Sequence, residues 1–172
     1  YGRPYLMYER KRSAGVMKVY HSSTVRIVKP DTGHSRKYLD FGPGFYLTTI
    51  KEQAVKYAER FIRRGYSAWL NIYEMKEDLS AWKVLRFDNY DGQWLDYVAN
   101  CRKGNIDPEH DIIIGGIAND RVFRTIDLYF SGEITKDEAL NRLIFEKPNM
   151  QICLCSEEAI KDCLTYIDSL KL

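Results

Sequence analysis

Two short segments place a histidine and a tyrosine where predicted strands meet turns. His21 closes the strand-like run 18–21 and precedes two serines and a loop. Tyr46 lies in the strand-like run 45–48, directly after a Gly-Pro-Gly turn at 42–44. An imidazole can donate and accept hydrogen bonds, and a phenol ring can stack on a flat ligand. An isolated histidine is more often structural, so His21 becomes a candidate only together with the unit around Tyr46.

Other common catalytic arrangements are missing from the sequence. It contains no GxSxG motif, no phosphate-binding loop and no HExxH motif, which argues against zinc enzymes and nucleoside-triphosphate enzymes. The cysteines lack metal-ligand spacing, and so do His34 and His110. We therefore expect no metal site. Since nothing indicates export, we expect free thiols in a reducing cytoplasm.

The composition is that of a globular domain. The chain has 172 residues, of which 45% are hydrophobic and 29% are charged. The formal net charge is only +2, which is too small to indicate nucleic-acid binding. No run approaches the length of a membrane span, so we expect no membrane partner and a cytoplasmic location.

Residues 1–16 differ from the rest of the chain. They show no hydrophobic period and include a basic cluster at 10–12, whereas a regular strand pattern starts at Met17. We expect residues 1–16 to be an N-terminal extension, either an artificial fusion segment or an upstream extension. The alternative is a basic arm for nucleic acid or a partner. Residues 17–172 are expected to form one domain.

Strands and helices are mixed along this domain. Runs rich in aromatic and branched residues predict strands at 18–21, 45–48, 68–75, 82–87, 111–115 and 150–155. Capping boxes at Thr49–Glu52 and Thr135–Glu138 predict helix starts, and so do Asp91 and either Asn119 or Asp120. A terminal helix is predicted from Ser156 through Leu170. Because the elements do not alternate as regular βαβ units, the expected class is α+β.

Three separated segments resemble the ADP-ribosyltransferase superfamily, in the branch that includes diphtheria toxin and the poly-ADP-ribose polymerases. They are "VYHSS", "LDFGPGFYLTTIKEQAVKYA" and "PNMQICLCSEEAI". Together with "GGIANDRVFRTIDLYFSGEITKDEAL", they are most similar to an uncharacterised bacterial family with a His-Tyr-Gln motif. The resemblance implies a split β-sandwich with flanking helices and NAD as co-substrate.

The resemblance also assigns roles to the first two motifs. His21 would hydrogen-bond the nicotinamide ribose and the carboxamide. Tyr46 would stack on the nicotinamide, and the backbone of Ser22 would recognise the carboxamide. The family usually has glycine in place of Ser22, but only the backbone of that residue is needed.

The third motif departs from the usual pattern, because Gln151 stands where many enzymes of the superfamily have glutamate. The glutamate bonds the ribose 2′-hydroxyl and stabilises the oxocarbenium-like transition state. One charge-stabilising contact of this kind is worth roughly 3 kcal/mol, or about a hundredfold in rate. Gln151 therefore predicts slow mono-ADP-ribosyl transfer, a carboxylate supplied by the acceptor, or no catalysis. It argues against chain elongation.

The loop between the first two motifs supplies further binding candidates. In the superfamily such a loop covers the adenosine side of NAD, and Arg36 could pair with the pyrophosphate. An ordinary exposed arginine is an equally good interpretation. Asp31 and Ser35 are weaker candidates for contacts to ribose.

These assignments predict a mono-ADP-ribosyltransferase that transfers ADP-ribose from NAD to a protein or nucleic acid. The resemblance adds a toxin-like or conflict role in bacteria, with an antitoxin or regulatory partner. A module that binds NAD or ADP-ribose without catalysis is the second interpretation. An RNA 2′-phosphotransferase shares the fold but needs several basic residues, and only Arg36 is suitably placed.

Overall fold

The computed structural model describes residues 15–36, 38–106 and 109–172. Within these residues the chain forms seven strands and five helices, arranged around two sheets. The strands are β1 (Val16–Ser23), β2 (Phe45–Leu47), β3 (Trp69–Lys76), β4 (Val84–Arg86), β5 (Ile112–Gly116), β6 (Met150–Leu154) and β7 (Leu164–Lys171). The helices are α1 (Lys51–Arg63), α2 (Gly92–Arg102), α3 (Asp120–Phe130), α4 (Lys136–Leu143) and α5 (Glu157–Cys163).

The first sheet has the antiparallel order β1-β3-β7. Its outer face is covered by α1, which packs against β1 and β3 through its buried residues Ala54 and Ala58. The small size of these two side chains lets the helix axis approach the sheet closely. The inner face carries alternate residues of each strand, among them Val19 and Tyr73.

The second sheet has the order β2-β6-β5-β4, in which only β4 and β5 run parallel among the described residues. One of its faces packs against the first sheet and α5. The apolar residues of this inner core are Val19, Phe45, Leu47, Tyr73, Met75, Ile112, Ile114, Ile152, Leu154, Ala159, Ile160 and Cys163. The other face packs against α2, α3 and α4 around the fully buried Trp94.

Within the described residues, one isolated β-bridge joins the two sheets. Tyr20 and Thr48 exchange two backbone hydrogen bonds, of 2.8 and 3.0 Å, directly after β2. The end of β1 is thereby fixed beside the end of β2, while the two sheets separate on either side. This junction places His21 next to Tyr46.

At the level of fold class, the prediction of mixed helices and strands is confirmed, with two sheets in the described part of the chain. The helix predicted from Ser156 is wrong beyond Cys163, because β7 follows it. The apolar residues of this segment also fit a strand. β3 pairs with β1 on one side, and β7 satisfies the backbone groups on its other side. Tyr166 then packs edge-on against Tyr73. Tertiary pairing therefore overrides the local helical spacing.

The predicted helix starts have mixed outcomes. Asp91, Asn119, Thr135 and Ser156 each cap a helix through the side chain, and Thr135 forms a full capping box with Glu138. The capping box predicted at Thr49 is wrong, since the N-cap of α1 is Ile50 and has no side-chain cap. The hydroxyl of Thr48 accepts a hydrogen bond from the Ile50 amide instead.

The predicted boundary at Met17 lies near the edge of the described structure. Residues 1–14 of the predicted extension lie outside the described residues. β1 starts at Val16, slightly before the predicted Lys18. No helix within the described ranges is long and apolar enough to cross a membrane.

The Gly42–Gly44 turn offers a test of how β2 is held. A Cβ at Gly44 would collide with the thiol of Cys153 and would lie 2.9 Å from the Leu154 carbonyl oxygen. We expect Gly44→Ala to lower the free energy of unfolding by about 1–3 kcal/mol through this overlap. The matched control Gly33→Ala meets only open space and one carboxylate oxygen at 3.8 Å, so a change below about 1 kcal/mol is expected. Urea unfolding measures both, and equal losses would contradict the packing described for this turn.

Candidate functional site

His21 is held at the junction of the sheets by its side chain. Its ring stacks on Phe45, with centroids 4.3 Å apart, and its Nδ1 lies 2.6 Å from the Tyr46 carbonyl oxygen. A carbonyl oxygen only accepts hydrogen bonds, so Nδ1 carries the proton in the neutral ring and Nε2 is an acceptor. Burial lowers the pKa of His21, and the hydrogen bond to Tyr46 offsets part of this effect. The neutral tautomer with a free acceptor is therefore favoured.

The Nε2 atom of His21 has no hydrogen-bond partner in the described part of the chain. His21 as a whole is half-buried. The Nε2 atom can accept a hydrogen bond from a hydroxyl or an amide.

Tyr46 uses its hydroxyl inside the protein. The hydroxyl donates to the Gly42 carbonyl oxygen at 2.5 Å and accepts from the Phe41 amide at 3.0 Å. Burial raises the pKa of this phenol far above its ordinary range, so it stays protonated. The ring is half-buried and lies roughly parallel to that of Phe41, with centroids 6.4 Å apart. What Tyr46 can offer a ligand is therefore its ring.

Gln151 lies on the same sheet face as Tyr46. Tyr46 pairs with Cys153 in the β2–β6 ladder, and Gln151 is two residues away on β6. Side chains at this spacing share a face. The amide is largely buried, and its Nε2 donates to Asp40 Oδ2 over 3.4 Å. Its carbonyl oxygen has no hydrogen-bond partner among the described residues.

The carboxylate beside Gln151 belongs to an ion pair that the sequence does not reveal. Arg102, in the last turn of α2, donates to Asp40 Oδ1 from Nη2 at 2.7 Å and from Nε at 3.2 Å. Both side chains are mostly buried, with 16% and 14% exposure. The guanidinium also lies 3.9 Å over the ring of Phe123. In the sequence, the position of Asp40 two residues before the turn at 42–44 is the only signal for a role of this residue in the site. No local sequence signal indicates that Arg102 pairs with it.

The structure thus brings the predicted catalytic residues together in pairs. His21 contacts the backbone of Tyr46 and stacks on the other face of β2, while Tyr46 and Gln151 share one face. Among the contacts of the described residues, none joins the side chains of His21 and Gln151. A ligand touching both must therefore extend around the end of β2.

The loop candidates have internal partners, with one exception. Asp31 bonds His34 at 2.8 Å, and this contact lowers the pKa of the carboxyl and raises that of the imidazole. The Ser35 hydroxyl accepts from the Gly44 amide at 3.0 Å. Arg36 is exposed, and its side chain makes no hydrogen bond or ion pair within the described structure. Arg36 is thus the loop residue best placed to meet a new ligand.

Glu157 fixes this loop to α5. Its carboxylate accepts from both the amide and the hydroxyl of Thr32, each at 2.7 Å. These bonds lower the pKa of Glu157. The carboxylate therefore has a specific partner, in addition to its favourable place at the start of a helix.

The side chains of Ser22 and Asn119 serve the fold. Ser22 is buried, and its hydroxyl donates to the Ala54 carbonyl oxygen of α1. It therefore faces α1, and only its backbone remains a candidate for binding. Asn119 accepts from the Val122 amide at 2.9 Å as the cap of α3.

Two surface clefts lie away from the junction. One, of about 380 Å³, runs along α1 beside Lys51 and Val55. The other, of about 400 Å³, lies between α3 and α4 and is lined by Arg121, Arg124 and Arg142, among others. No group of three or more His, Cys, Asp or Glu side chains in the described ranges has an arrangement that could hold a metal ion. Within the described residues, no two cysteines are joined in a disulfide.

A family model described as "Protein of unknown function (DUF3990)" matches residues 17–166. The chain belongs to the DUF3990 family. His21, Tyr46 and Gln151 all lie within the matched region of this DUF3990 chain. Comparison with curated proteins gives no match, and comparison with solved structures gives none either.

The two described histidines with opposite pKa shifts give a direct test of the site in this DUF3990 domain. We expect His21 to titrate below, and His34 above, the ordinary histidine value, because burial acts on the first and Asp31 on the second. Two-dimensional ¹H–¹⁵N spectra between about pH 4 and about pH 9 measure both pKa values and the neutral tautomers. Asp31→Ala is the control and should lower the pKa of His34 alone.

The lowered pKa of His21 also determines how the stability of the fold depends on pH. The folded-state pKa of His21 lies below its unfolded value. Its contribution to stability is therefore present above the unfolded pKa and is lost as the pH falls through the folded pKa. A His21 resonance with the proton on Nε2, or a pKa above that of His34, would contradict the geometry at the junction.

Proposed function

We propose that this DUF3990 domain is a mono-ADP-ribosyltransferase that transfers ADP-ribose from NAD to a macromolecular acceptor. The observation that carries the proposal is the 2.6 Å contact between His21 Nδ1 and the Tyr46 carbonyl oxygen. It holds the first two motif residues side by side and leaves His21 Nε2 as an acceptor without a partner in the described structure. An acceptor of this kind suits a ribose hydroxyl or a carboxamide N–H.

Each predicted group has a part in this proposal. His21 orients the nicotinamide ribose, the ring of Tyr46 contacts the nicotinamide, and the Gln151 carbonyl oxygen accepts from the 2′-hydroxyl. Arg36 would then pair with the pyrophosphate, since its guanidinium is exposed beside the anchored loop. The ligand extends around the end of β2, because His21 lies against one face of this strand whereas Tyr46 and Gln151 lie on the other.

The chemistry is a substitution at the ribose C1′. The bond from C1′ to the nicotinamide nitrogen breaks, and the electron pair leaves with nicotinamide. The acceptor nucleophile then bonds C1′ and gives up its proton to solvent or a base. A positive charge develops on the ribose between these events, so a nearby negative charge would lower the barrier. Gln151 offers only a dipole, and we therefore propose a slow single transfer.

A second function is supported by the same residue. Gln151 is neutral, and its amide is tied to Asp40, so ligand binding without transfer is compatible with the site. In that case the domain would sense NAD or ADP-ribose. An RNA 2′-phosphotransferase has less support, because the three arginines of the α3–α4 cleft do not line the junction.

The proposed biological setting follows from the resemblance and not from the geometry. We propose an effector acting in the cytoplasm on a protein or nucleic acid, as toxin-like domains of this superfamily do. An antitoxin or regulatory partner would accompany such an activity.

Nicotinamide release and label transfer from tagged NAD in a cell lysate test the proposal. We expect slow release by the native chain and a decrease of at least about tenfold for His21→Ala and Gln151→Ala, since each removes a contact to the reacting ribose. Gln93→Ala, on α2, is the matched control and should retain the native rate. Thermal unfolding confirms that each variant is folded.

The outcomes separate the two candidate functions. NAD binding with no release of nicotinamide, even at high protein concentration, would favour the sensing module over the transferase. Full activity in folded His21→Ala would exclude the site at the junction. If all of the site variants bound NAD as well as the native chain does, both functions would be excluded at this site.

A further inference from the structure

We propose that Asp40 is a positioning residue that orients and polarises the Gln151 amide, so that the amide carbonyl oxygen acts as an electron-rich acceptor for a ribose hydroxyl. This inference rests on the proposed function. It is carried by the buried contact between the two side chains and by the ion pair behind it. Asp40 does not touch the ligand and acts only through Gln151.

The orientation follows from hydrogen-bond chemistry. Asp40 Oδ2 lies 3.4 Å from the Gln151 side-chain nitrogen. An ionised carboxylate only accepts hydrogen bonds, so the NH₂ group must face Asp40 and the carbonyl oxygen must point away from it. Without Asp40 the amide could rotate by half a turn and present a donor to the ligand.

Arg102 keeps the carboxylate in this arrangement. It binds Oδ1 through two nitrogens, which leaves Oδ2 to face Gln151 and, at 3.5 Å, the Ala118 amide. Both side chains are mostly buried, so water screens the Asp40 carboxylate less than it would screen a carboxylate at the surface, and Oδ2 is the oxygen without a short bond to Arg102. An N–H that donates to a carboxylate increases the negative partial charge on the carbonyl oxygen of the same amide.

The same contact explains why glutamine suits this position. A glutamate in place of Gln151 would bring a second carboxylate within hydrogen-bond distance of Asp40 Oδ2, and two like charges so close cannot both stay ionised without a large cost. Arg102 already has its short bonds on the other oxygen of Asp40. An acid at position 40 with an amide at position 151 avoids this repulsion and keeps a carboxylate for Arg102; the reverse arrangement avoids only the repulsion.

A double-mutant cycle of Asp40→Asn and Gln151→Glu tests this pairing of an acid with an amide. We expect Asp40→Asn to lower kcat for nicotinamide release about tenfold, with KM for NAD within about threefold of the native value, because orientation of the amide affects mainly the transition state. We expect a similar loss for Gln151→Glu, because the two neighbouring carboxylates repel each other. The double variant should recover most of the lost kcat, since the amide introduced at position 40 can donate to the carboxylate introduced at position 151 and its oxygen can still accept from Arg102. A merely structural Asp40 would give additive losses, and additive losses would overturn the proposal.

The side-chain amide of Gln151 gives a readout that does not depend on activity. In ¹H–¹⁵N spectra of the native chain, one Gln151 side-chain proton should be shifted downfield and protected from exchange, and Asp40→Asn should abolish both effects. Unchanged Gln151 signals in folded Asp40→Asn would overturn the proposal. This spectroscopic test of Asp40 remains decisive even if the native chain releases no nicotinamide. Such an absence of release would refute the transferase function but not the orienting role of Asp40.

Asp40→Glu covers the case in which Asp40→Asn does not fold. This substitution keeps a negative charge for Arg102 and for the amide, so we expect the downfield Gln151 proton to persist in the variant. Its disappearance from a folded Asp40→Glu chain would overturn the proposal, because a carboxylate within reach would then leave the amide unaffected.

Discussion

The point at which β1 stops pairing with β2 determines the rest of the site. Tyr20 and Thr48 form one regular antiparallel pair. In a continuous ladder the next hydrogen-bonded pair would join Ser22 to Tyr46. The Tyr46 carbonyl oxygen instead accepts its hydrogen bond from the imidazole of His21. A side chain thus replaces a backbone amide, which satisfies the carbonyl and lets the two sheets separate.

This substitution connects the fold to the chemistry of the candidate site. The imidazole must donate through Nδ1, so Nε2 is left as an acceptor, and burial keeps the ring neutral by lowering its pKa. Ser22, freed from β2, donates to α1 from the opposite face of the strand. The same few residues that end the pairing of the sheets therefore also orient the polar atoms that a dinucleotide would meet.

Local patterns in the sequence account for much of the fold but not for its long-range contacts. Alternation and capping residues predicted β1, β6 and the starts of four helices, because those signals act within a few residues. They mispredicted residues 164–171, which become a strand only because β3 lacks a second neighbour. His21 and Tyr46 were paired by the resemblance and not by any local rule. Arg102 is 62 positions from Asp40, and no local signal connects them.

The ion pair of Arg102 and Asp40 bears on what kind of reaction the site can support. A catalytic glutamate would place its full charge against the ribose, whereas Asp40 lies one side chain farther away and is paired with a guanidinium. Coulomb attraction falls with distance, and a neighbouring opposite charge cancels much of it. Under the proposed function, the ribose would meet the dipole of the Gln151 amide and not a full charge. Such a dipole can hold a hydroxyl in place but stabilises a developing cation weakly, so we propose a single slow transfer or ligand sensing and not repeated chain extension.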